Sequence, residues 1–453
     1  MKLTEKRYLR MQFELASSMS IGSGNNDQTD SDVLRDSRGI PYIPGTAAAG
    51  ATRHVLEDNG IISRKEGKKL FGDVSISKDT DGSEPREDAK SSRIIFTDSL
   101  MDKDSEVRGF HVSTRDQVAL DEFKTARTGA KFDMEVLEPG VRFTIIIEEN
   151  IPEGDDADQK ILDLIAEIWK RGLIRFGTKT TRGYGQIRVL KTETCHFDFS
   201  NAEEIERWLD FDPATDHSPL WKDHQHVCIS AAGNVDAVLH LELSQMPGSG
   251  ISIRRYSTEV GNDNGAAPDF LQMTSHNSAG ESVPVIPGTS WAGAFHHHMS
   301  SLFADHAFLE DYYGKAGQEN DSKTKVKSLI TFSESFLEGA KPKVLSRNAI
   351  DRFSGGAADT ALYTEQTYYG GRTILTISLK KPGTVDDDEN EKFLNALAAS
   401  AADLDAGILS VGGETAIGRG LFQVNAVNGR KVNGPEEVYA AVLQELKEGA
   451  GNE

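Results

Sequence analysis

Three carboxylates fall within one short stretch, Asp30-Ser-Asp32-Val-Leu-Arg-Asp36. Carboxylates so placed can accept a proton or hold a divalent cation. A two-metal nuclease needs several convergent carboxylates, and this loop is the one candidate cluster in the chain. Asp30 and Asp32 have the spacing of a phosphatase-type pair, but such a pair caps a buried strand, and SGNNDQT before it is polar. The run 27–39 lacks the acidic order, glycine and terminal glutamate of a calcium loop. GETAIG followed by Arg419-Gly420 has the glycines of a phosphate loop without its Lys and Ser/Thr, so nucleotide hydrolysis is not expected. His296-His297-His298 follows a helical pattern in which neighbours point about 100° apart, so the three do not chelate one ion. Cys228 near His224 and His226 is a weak zinc pattern. With Cys195 as the other cysteine, the pair rules out a disulfide scaffold and an all-cysteine cluster.

The elements that position these groups are built from 453 residues, 38% apolar and 27% charged, about three average domains' worth of chain. Acidic residues number 71 and basic ones 50, a formal charge of −21. That excludes a globally basic nucleic-acid coat and a polybasic membrane-surface protein. A locally basic groove stays open, because salt screens charges beyond roughly 8 Å. MKLTEKRYLRMQFELASS has no apolar run of the signal-peptide kind, and nowhere do about 18 apolar residues run together, so a cytoplasmic chain with no membrane partner is expected.

An internal repeat organises the chain. PYIPGTAAAG (41–50) returns as PVIPGTSWAG (284–293). LDEFKTARTGAKFDMEVLEPGVR (120–142) lies against IDRFSGGAADTALYTEQTYYGGR (350–372), pairing Glu135 with Glu365 and Gly140 with Gly370. TKTTRGYGQIRV (178–189) lies against GETAIGRGLFQV (413–424), with Arg182 opposite Arg419 and Gly183 opposite Gly420. Two copies of one domain are expected, 1–218 and 219–453. Period-2 runs at Tyr8–Leu15 and Ala237–Leu243 read as opening strands. Pro-Gly-Thr then gives a turn and a hydroxyl cap for a first helix. Short strands follow at Ile94–Phe96 and Leu329–Phe332, then Arg142–Ile147 and Ile374–Leu379. Second helices are read at Gln159–Arg171 and Glu391–Leu404, and a Gly-rich turn leads into a last strand. The order β-α-β-β-α-β is an α+β, ferredoxin-like (RRM-like) arrangement. The acidic stretches 152–158, 201–212 and 382–391 read as surface loops or helix edges.

MSIGSG…DSDVLRDSRGIPYIPGTAAAG resembles the N-terminal signature of the RAMP superfamily, the repeat-associated proteins of CRISPR effector complexes. More narrowly it resembles the backbone subunits of type III complexes: a first strand, a loop with an acidic residue, then P-x-IPG-[ST] opening a helix. The middle segments, above all IDRFSGGAADTALYTEQ, resemble the region forming the protruding thumb, and RGYG and GRG resemble the Gly-rich loop. The resemblance covers most of both halves and implies two fused RAMP domains with inserted thumbs. The partners it implies are guide RNA, single-stranded target RNA and other effector subunits.

On that fold, Gly45, Gly50 and Gly183 allow close backbone approach and helix N-terminal amides face outward, so phosphates of a single strand can sit there. Thr46, Arg53, Lys179 and Arg182 add contacts. In the second copy Gly288, Thr289, Gly293, Arg419 and Gly420 take those parts, with His296 standing where Arg53 does. Thumb residues Arg108, Arg115, Lys124 and Arg127, and Lys341, Lys343, Arg347 and Arg352, form basic strips. The resemblance places Asp30 at the aspartate that catalytic relatives need for cutting target RNA, with a divalent cation, magnesium, as cofactor. In the second copy an ungapped alignment puts Met273 opposite Asp30, a loop four residues longer puts Asp269 there, and Asp263 is an outside candidate. A silent guide-RNA scaffold is the alternative. A guide-processing nuclease ranks last, because no histidine lies in the Asp30 loop and His54 sits on the helix after it.

Overall fold

The computed structural model describes residues 2–24, 29–77, 86–103, 105, 112–120, 126–154, 161–214, 219–224, 237–256, 268–277, 280–315, 326–358, 362–380 and 387–451. Cys228, His226, Arg108, Lys124 and Asp263 lie outside these residues. The chain forms two compact units. One comprises Met1–Ser113, Glu135–Thr178 and Gly185–Gly233, and the other Thr114–Met134, Lys179–Tyr184 and Asn234–Glu453. The second unit therefore takes in two pieces from the first half of the sequence.

In the first unit β1 (Leu3–Leu15) is followed by α1 (Gly45–Asp58), α2 (Arg64–Phe71) and β2 (Ile94–Phe96). The strands β3 (Val112–Leu120) and β4 (Ala126–Leu137) pair as an inserted hairpin, whose residues Thr114–Met134 belong to the second unit. Then come β5 (Arg142–Pro152), α3 (Ile161–Lys170), β6 (Ile187–Asp198) and α4 (Ala202–Leu209). The sheet runs β6-β1-β5-β2 with every pairing antiparallel, the fourth-first-third-second order of a ferredoxin-like sheet. Alternation explains it: Leu9, Met11, Phe13 and Leu15 of β1 face a core with Phe143, Ile145 and Ile147 of β5. Ile165 and Trp169 of α3 close that core, and the Trp169 indole donates to Thr52 Oγ1 at 3.1 Å. The intervening residues Tyr8, Ile146, Cys195 and Phe197 line the opposite face, which Trp208 of α4, Phe211 and Trp221 cover. Asn201 caps α4 by accepting from the Glu203 amide, so the stretch read as loop or helix edge carries a full helix.

The second unit repeats the plan with β7 (Ala237–Gln245), α5 (Gly288–Ser301), α6 (Leu309–Tyr313), β8 (Ile330–Phe332), β9 (Lys341–Arg347) and β10 (Tyr363–Tyr369). It continues through β11 (Arg372–Leu379), α7 (Asp387–Asp405), β12 (Phe422–Val427) and α8 (Pro435–Gly451). The sheet order β8-β11-β7-β12 is the same. Leu239, Leu241 and Leu243 meet Trp291, Phe295 and Met299 at helical spacing on α5, and α7 and α8 complete the core. The hairpin β9–β10 runs from Lys341 opposite Tyr369 to Arg347 opposite Tyr363.

The expected threonine caps are corrected. Both first helices begin two residues earlier, at Gly45 and Gly288, with Pro44 and Pro287 in the cap position and no side-chain cap. Proline lacks an amide and holds its φ, so it suits the entry. Gly45 N–H instead donates to Asp98 Oδ1 at 2.8 Å.

Candidate nucleic-acid interface

Asp30 is exposed at the end of the loop before β-bridged Val33, and Ser31 beside it accepts at its carbonyl from Glu135 N at 3.0 Å. The neighbouring acids are spent on the loop itself. Asp32 is buried and accepts from Thr29 N (2.8 Å) and Oγ1 (2.9 Å), and Asp36 accepts from the amides of Arg38 and Ile40, each at 2.9 Å. Among the described residues no three His, Cys, Asp or Glu side chains are placed to hold a metal ion together. Magnesium binds through one or two carboxylates and keeps several waters. The exposed carboxylate of Asp30 therefore fits a hydrated ion and not a protein-enclosed one.

Asp269 holds the equivalent position in the second repeat. Phe270 after it pairs with Glu365, as Ser31 does with Glu135. Thr274 lies opposite Pro284, as Arg35 lies opposite Pro41. The four extra residues fall in the hairpin between them, while Met273 is buried in the core. Asp269 is exposed, and its Oδ2 accepts from Thr364 N at 2.7 Å and Oγ1 at 3.1 Å. These bonds from Thr364 hold its carboxyl below the usual range.

The Gly-rich turns have one backbone and different chemistry. Each is a 3-10 turn, Thr180–Arg182 or Thr415–Ile417, between a left-handed non-glycine (Lys179, Glu414) and a left-handed glycine (Gly183, Gly418). Gly185 and Gly420 then pass so close to the carbonyls of Phe176 and Val411 that a Cβ would overlap them. This geometry keeps the block match of 178–189 with 413–424 and corrects the pairing of Arg182 with Arg419 and of Gly183 with Gly420 by two residues. Gly183 stands opposite Gly418, Arg182 opposite Ile417, and Tyr184 opposite Arg419. Lys179 stands opposite Glu414.

Arg419 is accordingly corrected as a phosphate contact: it is 3% exposed and bound to Glu365 and Glu414. Arg347 Nε joins Glu365 at 2.7 Å, and Arg254 approaches it at 3.8 Å. Burial works against the Glu365 charge, yet the Arg419 and Arg347 guanidiniums hold its carboxyl below the ordinary range. Arg115 is corrected likewise. It is 2% exposed, paired with Glu334, and donates to Ser275 Oγ (3.2 Å) and the Tyr184 hydroxyl (3.3 Å). Thumb position alone could not separate interior Arg115 from Arg127 and Arg352, which are exposed.

In the first repeat Arg53 Nε donates to Glu57 at 2.7 Å, which neutralises it. Thr46 is exposed and Thr289 half-buried. Gly50 and Gly293 face open space, so a backbone can approach either. Gly288 has no such room: a Cβ would strike the carbonyls of Arg182 and Phe332, and one on Gly183 would strike Phe332 O and Glu334 N. The first turn is thus seated directly on the start of α5.

Around that seat Lys179 Nζ bonds Gln117 Oε1 and stands 4.2 Å over the Phe132 ring. Burial, reinforced by Arg182, pushes its pKa down to about 8. Burial also lowers Arg182, whose guanidinium has no hydrogen bond or ion pair among the described residues. His296 packs edge-on against Tyr313 at 4.8 Å, and burial, then Arg182, lowers its pKa. Tyr184, Gln117 and Thr364 were not singled out in the sequence, since each acts by a long-range contact with no local pattern.

Among the described residues no helix is long and apolar enough to cross a membrane. A family model described as the RAMP superfamily matches residues 12–188 and 247–423. No curated protein matches the chain.

Proposed function

The chain belongs to the RAMP superfamily, with the family match repeated in both halves, and from that premise we propose that it is a fused pair of type III CRISPR backbone units that binds guide RNA and cleaves complementary target RNA. The observation that carries the reading is the pair of exposed aspartates, Asp30 and Asp269, at equivalent positions ahead of the two IPGT helices.

The chemistry asks little of the protein. The RNA 2′-hydroxyl attacks the adjacent phosphorus, the P–O5′ bond breaks, and the products are a 2′,3′-cyclic phosphate and a 5′-hydroxyl. Splaying one nucleotide brings the attack in line, which is catalysis by positioning. Asp30 takes the hydroxyl proton, or would hold a hydrated divalent cation against the scissile phosphate, and solvent water gives the departing 5′-oxygen its proton. Asp269, held in its charged form by Thr364, is a weak base and acts by charge and orientation. A hydrated magnesium ion beside either carboxylate would supply neutralising charge to the phosphate.

The test is a complex carrying the chain, incubated with labelled target RNA in magnesium or EDTA. Asp30→Ala and Asp269→Ala should each erase a different cut, a loss of about 10²–10⁴ in rate, with target binding little changed. Intact cleavage in both variants overturns the catalytic reading. No cleavage by the wild type leaves the guide-RNA scaffold, and cuts confined to precursor guide point to processing.

A further inference from the structure

The register correction leaves the two turns of this chain with opposite character. At matching backbone positions the first carries Lys179 and Arg182, and the second Glu414 and Ile417, the latter 54% exposed. The arginine that looked like the second turn's phosphate contact is sealed inside among Glu365 and Glu414. Position 53 of the first repeat keeps an arginine, but Glu57 neutralises it, whereas its second-repeat counterpart is His296. His296 lies two helical turns along α5 from Gly288, on which the Arg182 carbonyl rests, and the Arg182 charge reaches it.

The acids near this cluster are occupied. Glu310 on α6, whose charge reaches His296, is taken by Lys315, and Glu334, beside Gly183, is taken by Arg115. What remains is Lys179, Arg182 and His296 with no counter-charge of their own among the described residues. Two cations held against desolvation and against each other mark a place where an anion would be stabilised.

Resting on the reading that the chain binds RNA, we infer that it grips the RNA backbone at one turn and not two, with a phosphodiester held by a composite site of Lys179 and Arg182 from the first repeat and His296 from the second. The second turn has lost that role. A fused chain of two folds then contributes one such grip to the strand.

Full-length chain is titrated with a labelled single-stranded RNA over a range of potassium chloride. Arg182→Gln should weaken binding roughly five- to tenfold near 0.1 M salt and flatten the log–log salt slope by about 1. Arg182→Lys, which keeps the charge, should restore the slope and so separate charge from folding. Ile417→Gln should change neither quantity, and Ile417→Arg should steepen the slope. An unchanged slope in Arg182→Gln, or an equal loss in Ile417→Gln, overturns the inference while RNA binding itself stands. Absence of RNA binding by the wild type overturns both it and the functional reading.

Discussion

Lys179 shows how far single residues can be read. Its type and place in TKTTRGYG pointed to a phosphate contact, but its environment came from elsewhere in the chain: Gln117 on β3, Phe132 and Met134 on β4, and Arg182. Burial among them lowers its pKa to about 8, so the amine is charged below that pH and loses its proton above it. A bound phosphate favours the charged form, so RNA affinity should be full near pH 7 and decline as pH rises through about 8. Lys179→Arg should flatten that profile in a fluorescence-anisotropy titration, and a wild-type affinity unchanged to about pH 9 would count against the contact. Arg115 and Arg419 mark the opposite limit. Arginines that look exposed in sequence became interior because their acids, Glu334 just after β8 and Glu365 on β10, are brought to them by the fold.

At the scale of elements, strands with strong periodicity were legible, Tyr8–Leu15 and Ala237–Leu243 falling within β1 and β7, and the short strand Ile94–Phe96 was read at its observed bounds. Three things were not. In α4 the short apolar stripe of Ile205, Trp208 and Leu209 is outweighed to the eye by Glu203, Glu204 and Glu206, the hairpins lack a tight-turn signal within the described residues, and the arginine of the second Gly-rich turn was mispaired because Arg-Gly recurs two residues off. Backbone geometry, not residue identity, is what the repeat preserves there. Glycine substitutions separate the two demands. Gly420→Ala places a methyl against the Val411 carbonyl at positive φ and should cost about 1–3 kcal/mol, seen as a lower Tm. Gly50→Ala, in open space within α1, should raise stability by about 0.5–1 kcal/mol and still weaken RNA binding, since the methyl stands where a strand would approach. Unchanged RNA affinity in Gly50→Ala would remove that helix face from the interface.

Across the whole molecule, two repeated folds were visible from three short matches, and the family match spans both. What no linear reading gives is that Thr114–Met134 and Lys179–Tyr184 pack with the second half. The side chains of Arg115 and Tyr184 are interior there, 2% and 1% exposed. A fragment ending at residue 218 should therefore expose a buried guanidinium and a tyrosine and be poorly soluble alone. Co-expression with 219–453 should rescue it in a pull-down. A well-folded, monodisperse fragment 1–218 would show that those contacts contribute little.

The aromatic cover on the outer face of the first sheet has an optical consequence. The four tryptophans are distributed unevenly: Trp169 sits in the first core, Trp291 in the second, and Trp208 and Trp221 in the cover, where Arg10 lies 4.2 Å over the Trp221 ring. Emission from the second unit thus comes from one deeply shielded indole, while the first unit adds, besides Trp169, two indoles in the cover itself, each beneath a cationic side chain. A chain with Trp169, Trp208 and Trp221 changed to phenylalanine would glow from the second unit alone, turning intrinsic fluorescence into a separate reporter of how that body melts.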